Sequence, residues 1–112
     1  MAQDFENSIT KDIDASLTDI RATADSDDAI VGIRLANTSS TTSITVDVAI
    51  TNNGGTVQAY LIKNAPIPVG SSLELIDGGS KIVLVSGHKL QAKSSATDTL
   101  DVVVSAVDAI SE

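Results

Sequence analysis

The chain has 112 residues and a formal net charge of −8, from 15 acidic and seven basic side chains, and it contains neither cysteine nor tryptophan. Its length is that of one domain with a modest core. The missing cysteines exclude disulfides, thiolate zinc sites and a cysteine nucleophile, and the acidic balance argues against a protein that binds nucleic-acid phosphates.

The first quarter of the chain differs from the rest in charge. Residues 1–28 carry eight acidic and two basic side chains, a net charge of −6, which leaves −2 for residues 29–112. Phe5, Ile9, Ile13 and Leu17 recur every four residues, as on a helical stripe, although Ile9 and Ile13 also fit a strand. The Ser, Thr and Asp content does not favour a helix. We therefore predict an acidic N-terminal arm over 1–28, ordered by a partner surface, and a β-domain over 29–112.

The next segments alternate between apolar and polar residues, which predicts half-buried strands over 30–36 and 44–51. The sequence Asn52-Asn53-Gly54-Gly55 follows, and Asn-Gly predicts a type I′ hairpin turn with positive φ, with a return strand over 57–63. Residues 64–70 contain two prolines, so we expect an extended crossing between sheets there. In the first two of these segments, the residues predicted to point inward are Val31, Ile33, Leu35, Ile44, Val46, Val48 and Ile50.

The C-terminal half predicts further short strands over 73–76, 81–85 and 89–93, separated by turns that contain glycine. The last strand spans 99–107 and directs Leu100, Val102, Val104 and Ala106 inward. Seven or eight short strands at even spacing indicate an all-β chain. The expected fold is a single antiparallel β-sandwich or jelly-roll-like barrel.

Several apolar residues lie where solvent is expected and are candidates for assembly. Val103 and Val107 occupy the polar face of the last strand, so either another subunit covers them or they are scattered surface valines. Phe5 either anchors the N-terminal segment on a neighbour or packs on its own domain. The full candidate interface comprises Phe5, Ile9, Ile13, Leu17, Tyr60, Val103 and Val107.

Residues that could carry chemistry are few. His88 is the single histidine, it lies in a turn sequence, and no nucleophile-elbow motif accompanies it. Asp25, Asp27 and Asp28 could attract calcium, but they lack the EF-hand pattern, and a solvated acidic loop is the alternative. We therefore predict no catalytic residue, no metal site, no cofactor and no enzymatic activity.

The stretch from Ile30 to Ile110 resembles a known group of proteins. The segments IVGIRLANTSSTTSITVDVAI, AYLIKNAPIPVGSSLELIDGGSKIVLVSGHKLQAKSS and LDVVVSAVDAI are similar to small virion structural proteins of tailed bacteriophages, particularly those of cyanobacterial hosts. The most specific part is the crossing from Tyr60 to Leu75, with its Gly-Ser-Ser-Leu. The resemblance covers everything except the N-terminal segment, and it implies a β-sandwich without catalytic residues.

The resemblance implies a virion component made in the bacterial cytoplasm. Our leading expectation is a capsid decoration (cement) protein that binds the shell as a homo-oligomer, with the major capsid protein as its partner. The alternative is a neck or tail/fibre protein of the same particle. A receptor- or glycan-binding module is a third hypothesis, which the scarcity of aromatic residues disfavours. We expect neither nucleic acid nor membrane as a partner.

Overall fold

The computed structural model describes residues 4–24, 27–76 and 82–108, and every regular element in these ranges is a β-strand. The alternation and the many β-branched residues explain this, since such side chains pack well on a pleated sheet. The nine strands in these ranges are β1 (Asp4–Ile13), β2 (Thr18–Arg21), β3 (Asp28–Asn37), β4 (Ile44–Asn52), β5 (Val57–Ile67), β6 (Ser72–Glu74), β7 (Ile82–Leu84), β8 (His88–Ser94) and β9 (Leu100–Asp108). The predicted all-β class is confirmed.

The strands form two antiparallel sheets that pack as a sandwich. The first sheet has the order β1-β9-β3-β6, and β7 pairs with the other end of β3, beside β6. The second sheet has the order β2-β8-β4-β5. The edge strands are therefore β1 and β6/β7 in the first sheet, and β2 and β5 in the second.

The core lies between the sheets, where alternate residues of the central strands point inward. All four residues predicted for the inner face of the last strand are at most 1% exposed. In β3, a register shift between Ile30 and Gly32 reverses the alternation, so Ile30 is buried and Val31 is exposed. The predicted inward position of Val31 was wrong because a β-bulge adds a residue that local alternation does not reveal.

The predicted hairpin joins β4 to β5, but its turn is of another type. The Gly55 N–H donates to the Asn52 carbonyl at 2.9 Å, and the Asn52 side chain accepts the Gly54 N–H at 2.9 Å. In this turn the positive φ falls on Gly55, at 87°, and not on Asn53 or Gly54. The type I′ prediction was therefore wrong, because a second glycine after the turn takes the left-handed position.

The proline-containing segment is partly strand. β5 continues to Ile67, and Pro66 lies opposite Thr45 of β4. Proline is tolerated there because β5 is an edge strand, so its missing N–H costs no ladder bond. The crossing to the first sheet is confined to residues 68–71, between β5 and β6.

Residues 4–24 pack on the sandwich itself. β1 pairs with β9 and β2 pairs with β8, so the first two strands supply one edge of each sheet. Ile13 and Ile20 are each 1% exposed and belong to the core. In this structure, the surface that orders these residues is the chain's own sandwich. The predicted turn over 77–79 and the position of Asp25 lie outside the described residues.

Candidate assembly interface

The outer face of the first sheet carries several exposed apolar side chains, in rows interrupted by polar ones such as Ser105 and Arg34. Because Val102, Val104 and Ala106 point into the core, Val103 and Val107 must point outward from the same strand. Pairing then aligns Phe5, Val107, Ala29 and Val83 in one row across four strands. We call the outward apolar side chains of this sheet the apolar face. They are Phe5, Ile9, Ala29, Val31, Val83, Val103 and Val107.

Exposure on the apolar face is highest along β1. Phe5 is 88% and Ile9 is 70% exposed, while Val83 is 54% exposed. Ile9 lies opposite Val103, which in turn lies opposite Arg34. Neighbouring exposed apolar residues often mark an interaction surface, whereas single exposed apolar residues are common on any protein.

The two long edge strands differ in regularity. β1 pairs with β9 in unbroken register from Asp4 to Thr10, and the register first shifts between Thr10 and Ile13. β5 shifts register against β4 three times, and Asn64 within it has a positive φ of 56°. Bulges and proline prevent an edge from pairing with another chain. The β5 edge is thus protected, whereas the β1 edge is regular and open.

The outer face of the second sheet is polar and internally paired. The Asp47 carboxylate accepts the Asn64 N–H at 2.7 Å and lies 3.7 Å from the ammonium groups of both Lys63 and Lys93. The Asp19 carboxylate lies 3.0 Å from the Lys89 ammonium. Lysines of the two strands that flank β4 thus reach its outward carboxylate.

Hydrogen bonds also set the charge of Asp19. Burial raises the pKa of its carboxyl, but hydrogen bonds from Gln91 and Lys89 and the charge of Lys89 outweigh this effect and lower the pKa. Gln91 donates to Asp19 at 2.7 Å. Asp19 is therefore held as a carboxylate, and the polar face carries matched charges.

A buried ion pair joins the two sheets at one end. Arg21 of β2 donates to Glu6 of β1 at 2.8 Å and to Asp28 of β3 at 3.0 Å, and also contacts the Ser8 hydroxyl at 3.2 Å. The Asp28 side chain is 3% exposed. Burial lowers the pKa of Arg21, but its hydrogen bonds with Glu6 and Asp28 outweigh this and raise it. The guanidinium therefore stays charged.

Asp28 is the member of this cluster whose carboxyl pKa is raised. Burial raises the pKa of its carboxyl, the neighbouring Asp108 carboxyl raises it further, and Arg21 opposes both effects. Its Oδ1 atom is buried and accepts no hydrogen bond from any residue that the structure describes. Asp28 therefore lies between the Arg21 guanidinium and a second carboxyl group, and its pKa is raised above the ordinary value.

The predicted interface residues divide into two groups in the structure. Phe5, Ile9, Val103 and Val107 come together on the apolar face. Ile13 lies in the core, where no partner can reach it. Leu17 is half-buried in the loop before β2.

Tyr60 lies on the opposite sheet, where the Lys63 ammonium sits 4.3 Å from the centre of its ring. Val31 and Val83 are members of the apolar face that sequence reasoning missed. The register of β7 and the bulge in β3 place them there, and neither leaves a clear local signal.

Two of the acidic residues considered for calcium, Asp27 and Asp28, lie in the described ranges. Within residues 4–24, 27–76 and 82–108, no group of three or more His, Asp or Glu side chains is arranged to hold a metal ion. Asp27 is half-buried and Asp28 is paired with Arg21, while Asp25 lies outside these ranges. In the same part of the chain, no helix is long and apolar enough to cross a membrane.

Comparison with known proteins adds no family: no protein-family model matches the chain, and no curated protein matches it at significant similarity.

Proposed function

We propose that this chain is a structural protein of a tailed-bacteriophage virion, and specifically a capsid decoration protein that binds the shell as a homo-oligomer. The observation that carries the proposal is the contrast between the two outer faces of the sandwich. In the described residues, the outer face of the first sheet exposes Phe5, Ile9 and several valines, whereas that of the second sheet is polar and internally paired. A protein whose role is to bind other subunits needs one such face.

Charge and composition support the same proposal. With 15 acidic side chains against seven basic ones, the chain would be repelled by packaged nucleic acid while its apolar face binds a protein lattice. Many identical weak contacts on a lattice add up to strong attachment, so a small interface on each copy is sufficient. The sequence resembles small virion proteins of tailed bacteriophages, and the virion of such a phage contains a lattice of this kind.

Binding to capsids tests the proposal directly. Purified protein is mixed with capsids of the phage that encodes it, prepared without this protein, and bound copies are counted by quantitative mass spectrometry. A copy number comparable with that of the major capsid subunits supports the decoration role. A small fixed number per particle supports the alternative neck or tail position, and no binding to any virion part contradicts the proposal.

Two substitutions of similar exposure provide the control. Val103 is 39% exposed on the apolar face, and Tyr60 is 41% exposed on the polar face. We expect Val103→Lys to abolish capsid binding and Tyr60→Lys to leave it unchanged. Equal loss in both variants would contradict binding through the apolar face.

A glycan array distinguishes the third hypothesis. Specific glycan binding that Tyr60→Ala abolishes would favour a receptor-binding module. The stacking of Lys63 on Tyr60 covers one face of the tyrosine ring, which reduces the surface on which a sugar could stack.

A further inference from the structure

We propose that two copies of this chain associate through their β1 strands, antiparallel about a two-fold axis at Asn7, so that their first sheets join into one continuous sheet. This inference deepens the homo-oligomeric part of the proposed function and rests on that part alone. Capsid attachment is a separate property, measured by a separate experiment.

The open edge of β1 provides the backbone groups for such pairing. Among the strands of the described residues, β1 pairs through its backbone with β9 alone. Alternate residues of an edge strand direct their N–H and C=O groups away from the sheet, where another strand can pair with them. The segment from Asp4 to Thr10 contains neither proline nor glycine, and its register with β9 is unbroken.

The faces of the two copies restrict the possible registers. A continuous sheet requires that outward residues of one copy lie opposite outward residues of the other. Odd-numbered residues of β1 point outward, because Phe5 and Ile9 lie opposite Val107 and Val103. In a two-fold antiparallel pair, one residue therefore lies opposite itself, and all other pairs are symmetric about it.

The register centred on Asn7 uses the whole straight stretch. Asp4 and Thr10 are equidistant from Asn7, so the regular part of β1 pairs with itself from end to end. Phe5 then lies opposite Ile9 of the second copy, which places the two most exposed apolar side chains of the described structure in contact across the seam. Such cross-strand apolar pairs contribute roughly 0.2–1 kcal/mol each.

The charges of β1 favour the same register. Centred on Asn7, Glu6 lies opposite Ser8, and Asp4 lies opposite Thr10, so no acid faces an acid. Centred on Glu6, the two Glu6 carboxylates would face each other, which is destabilising.

The register centred on Ser8 is disfavoured on two grounds. Asp4 would oppose Asp12, and Phe5 would oppose Lys11. Asp12 also lies where β1 leaves its regular register and has a positive φ of 58°, so its backbone is not aligned for pairing.

Cysteine cross-linking tests the register, because the natural chain has no cysteine. Opposite residues of an antiparallel pair have Cα atoms about 4.5–5.5 Å apart, within the range of a disulfide. We expect Asn7→Cys to form a disulfide-linked dimer under mild oxidation. Phe5→Cys and Ile9→Cys should each form no disulfide-linked dimer alone, because like residues are then about 13 Å apart along the strand. A mixture of the two variants should cross-link.

Sedimentation of the unmodified chain and a matched control complete the test. Tyr60→Cys, on the polar face, should not cross-link above background, whereas a two-fold contact through β5 would make it do so. A monomeric chain throughout its soluble concentration range would overturn the proposal. So would cross-linking that is strongest for cysteine at position 6 or 8, or equal for positions 7 and 60. Capsid binding by a monomer would leave the virion role intact while refuting this dimer.

Discussion

At the scale of single residues, Arg21 links the two sheets through ion pairs with two carboxylates. It bridges β1 and β3 of the first sheet from β2 of the second, and its side chain is 10% exposed. Removing one partner of a buried ion pair leaves an uncompensated charge and costs about 3–5 kcal/mol. We expect Arg21→Ala to lower the unfolding free energy by about this amount, as measured by urea denaturation.

A matched control separates burial from charge. Arg34 also forms one ion pair, with Glu74 at 2.9 Å, but these side chains are 59% and 37% exposed. Exposed ion pairs contribute about 0–1 kcal/mol. Arg34→Ala should therefore change the unfolding free energy by no more than about 1 kcal/mol. Equal losses in the two variants would show that the Arg21 cluster does not join the sheets as described.

Asp28 makes stability depend on pH in a direction opposite to that of most carboxylates. Burial and Asp108 raise its folded-state pKa above the ordinary value of 3.8, so the folded state binds the proton more tightly than the unfolded state. The contribution of Asp28 to the unfolding free energy therefore falls as pH rises from 3.8 through the folded pKa. Asp19, with its lowered pKa, stabilises the fold above 3.8 and loses this effect only below it.

Asp108→Asn tests this assignment. The substitution removes the like charge beside Asp28 but leaves burial in place, so the pKa of Asp28 should fall toward its ordinary value. We expect the variant to be more stable than the parent at neutral pH and the difference to shrink toward pH 4. Carboxyl NMR titration of Asp28 gives the pKa directly, and an unchanged titration would refute the coupling between the two carboxyls.

At the scale of elements, the β4–β5 hairpin depends on one left-handed residue. Gly55 has a φ of 87°, and a side chain in this conformation costs about 1–2 kcal/mol. Gly55→Ala should lower the unfolding free energy by about that amount. Gly54→Ala is the control, since φ is not positive there and the added Cβ would lie 3.5 Å from Asn52 Oδ1. A larger loss at Gly54 would mean that the turn is assigned incorrectly.

The same elements show what local pattern can and cannot predict. Strict alternation identified the inner face of β9 and of most of β4, because one buried face imposes a period of two. It failed at Val31, where a bulge shifts the period by one residue. Alternation could not predict that β1 pairs with β9, because the two strands are far apart in the sequence. For example, the Asp12 N–H donates to the Asp101 carboxylate, 89 residues away. The apolar face is formed by four strands, so only its members on β1 and β9 were visible in the sequence.

At the scale of the whole molecule, the charge and the fold divide the chain differently. Residues 1–28 carry a net charge of −6, yet their strands form one edge of each sheet and contribute Ile13, Ile20 and Ala24 to the core. These three residues close the core at the edge of the sandwich, whereas Phe5 and Ile9 of the same segment are exposed. An acidic segment thus serves both solubility and closure of the core.

Truncation distinguishes an edge of the sandwich from a separate arm. Deleting residues 1–28 would uncover the inner faces of β8 and β9, and each lost core isoleucine corresponds to about 2–5 kcal/mol by analogy with Ile→Ala substitutions. We expect residues 29–112 not to unfold cooperatively in thermal or urea denaturation. Replacing the exposed Phe5 and Ile9 by serine in the full chain should alter stability by only about 0.5 kcal/mol. Cooperative unfolding of the truncated chain would restore the interpretation of a separate arm, because the sandwich would then close without β1 and β2.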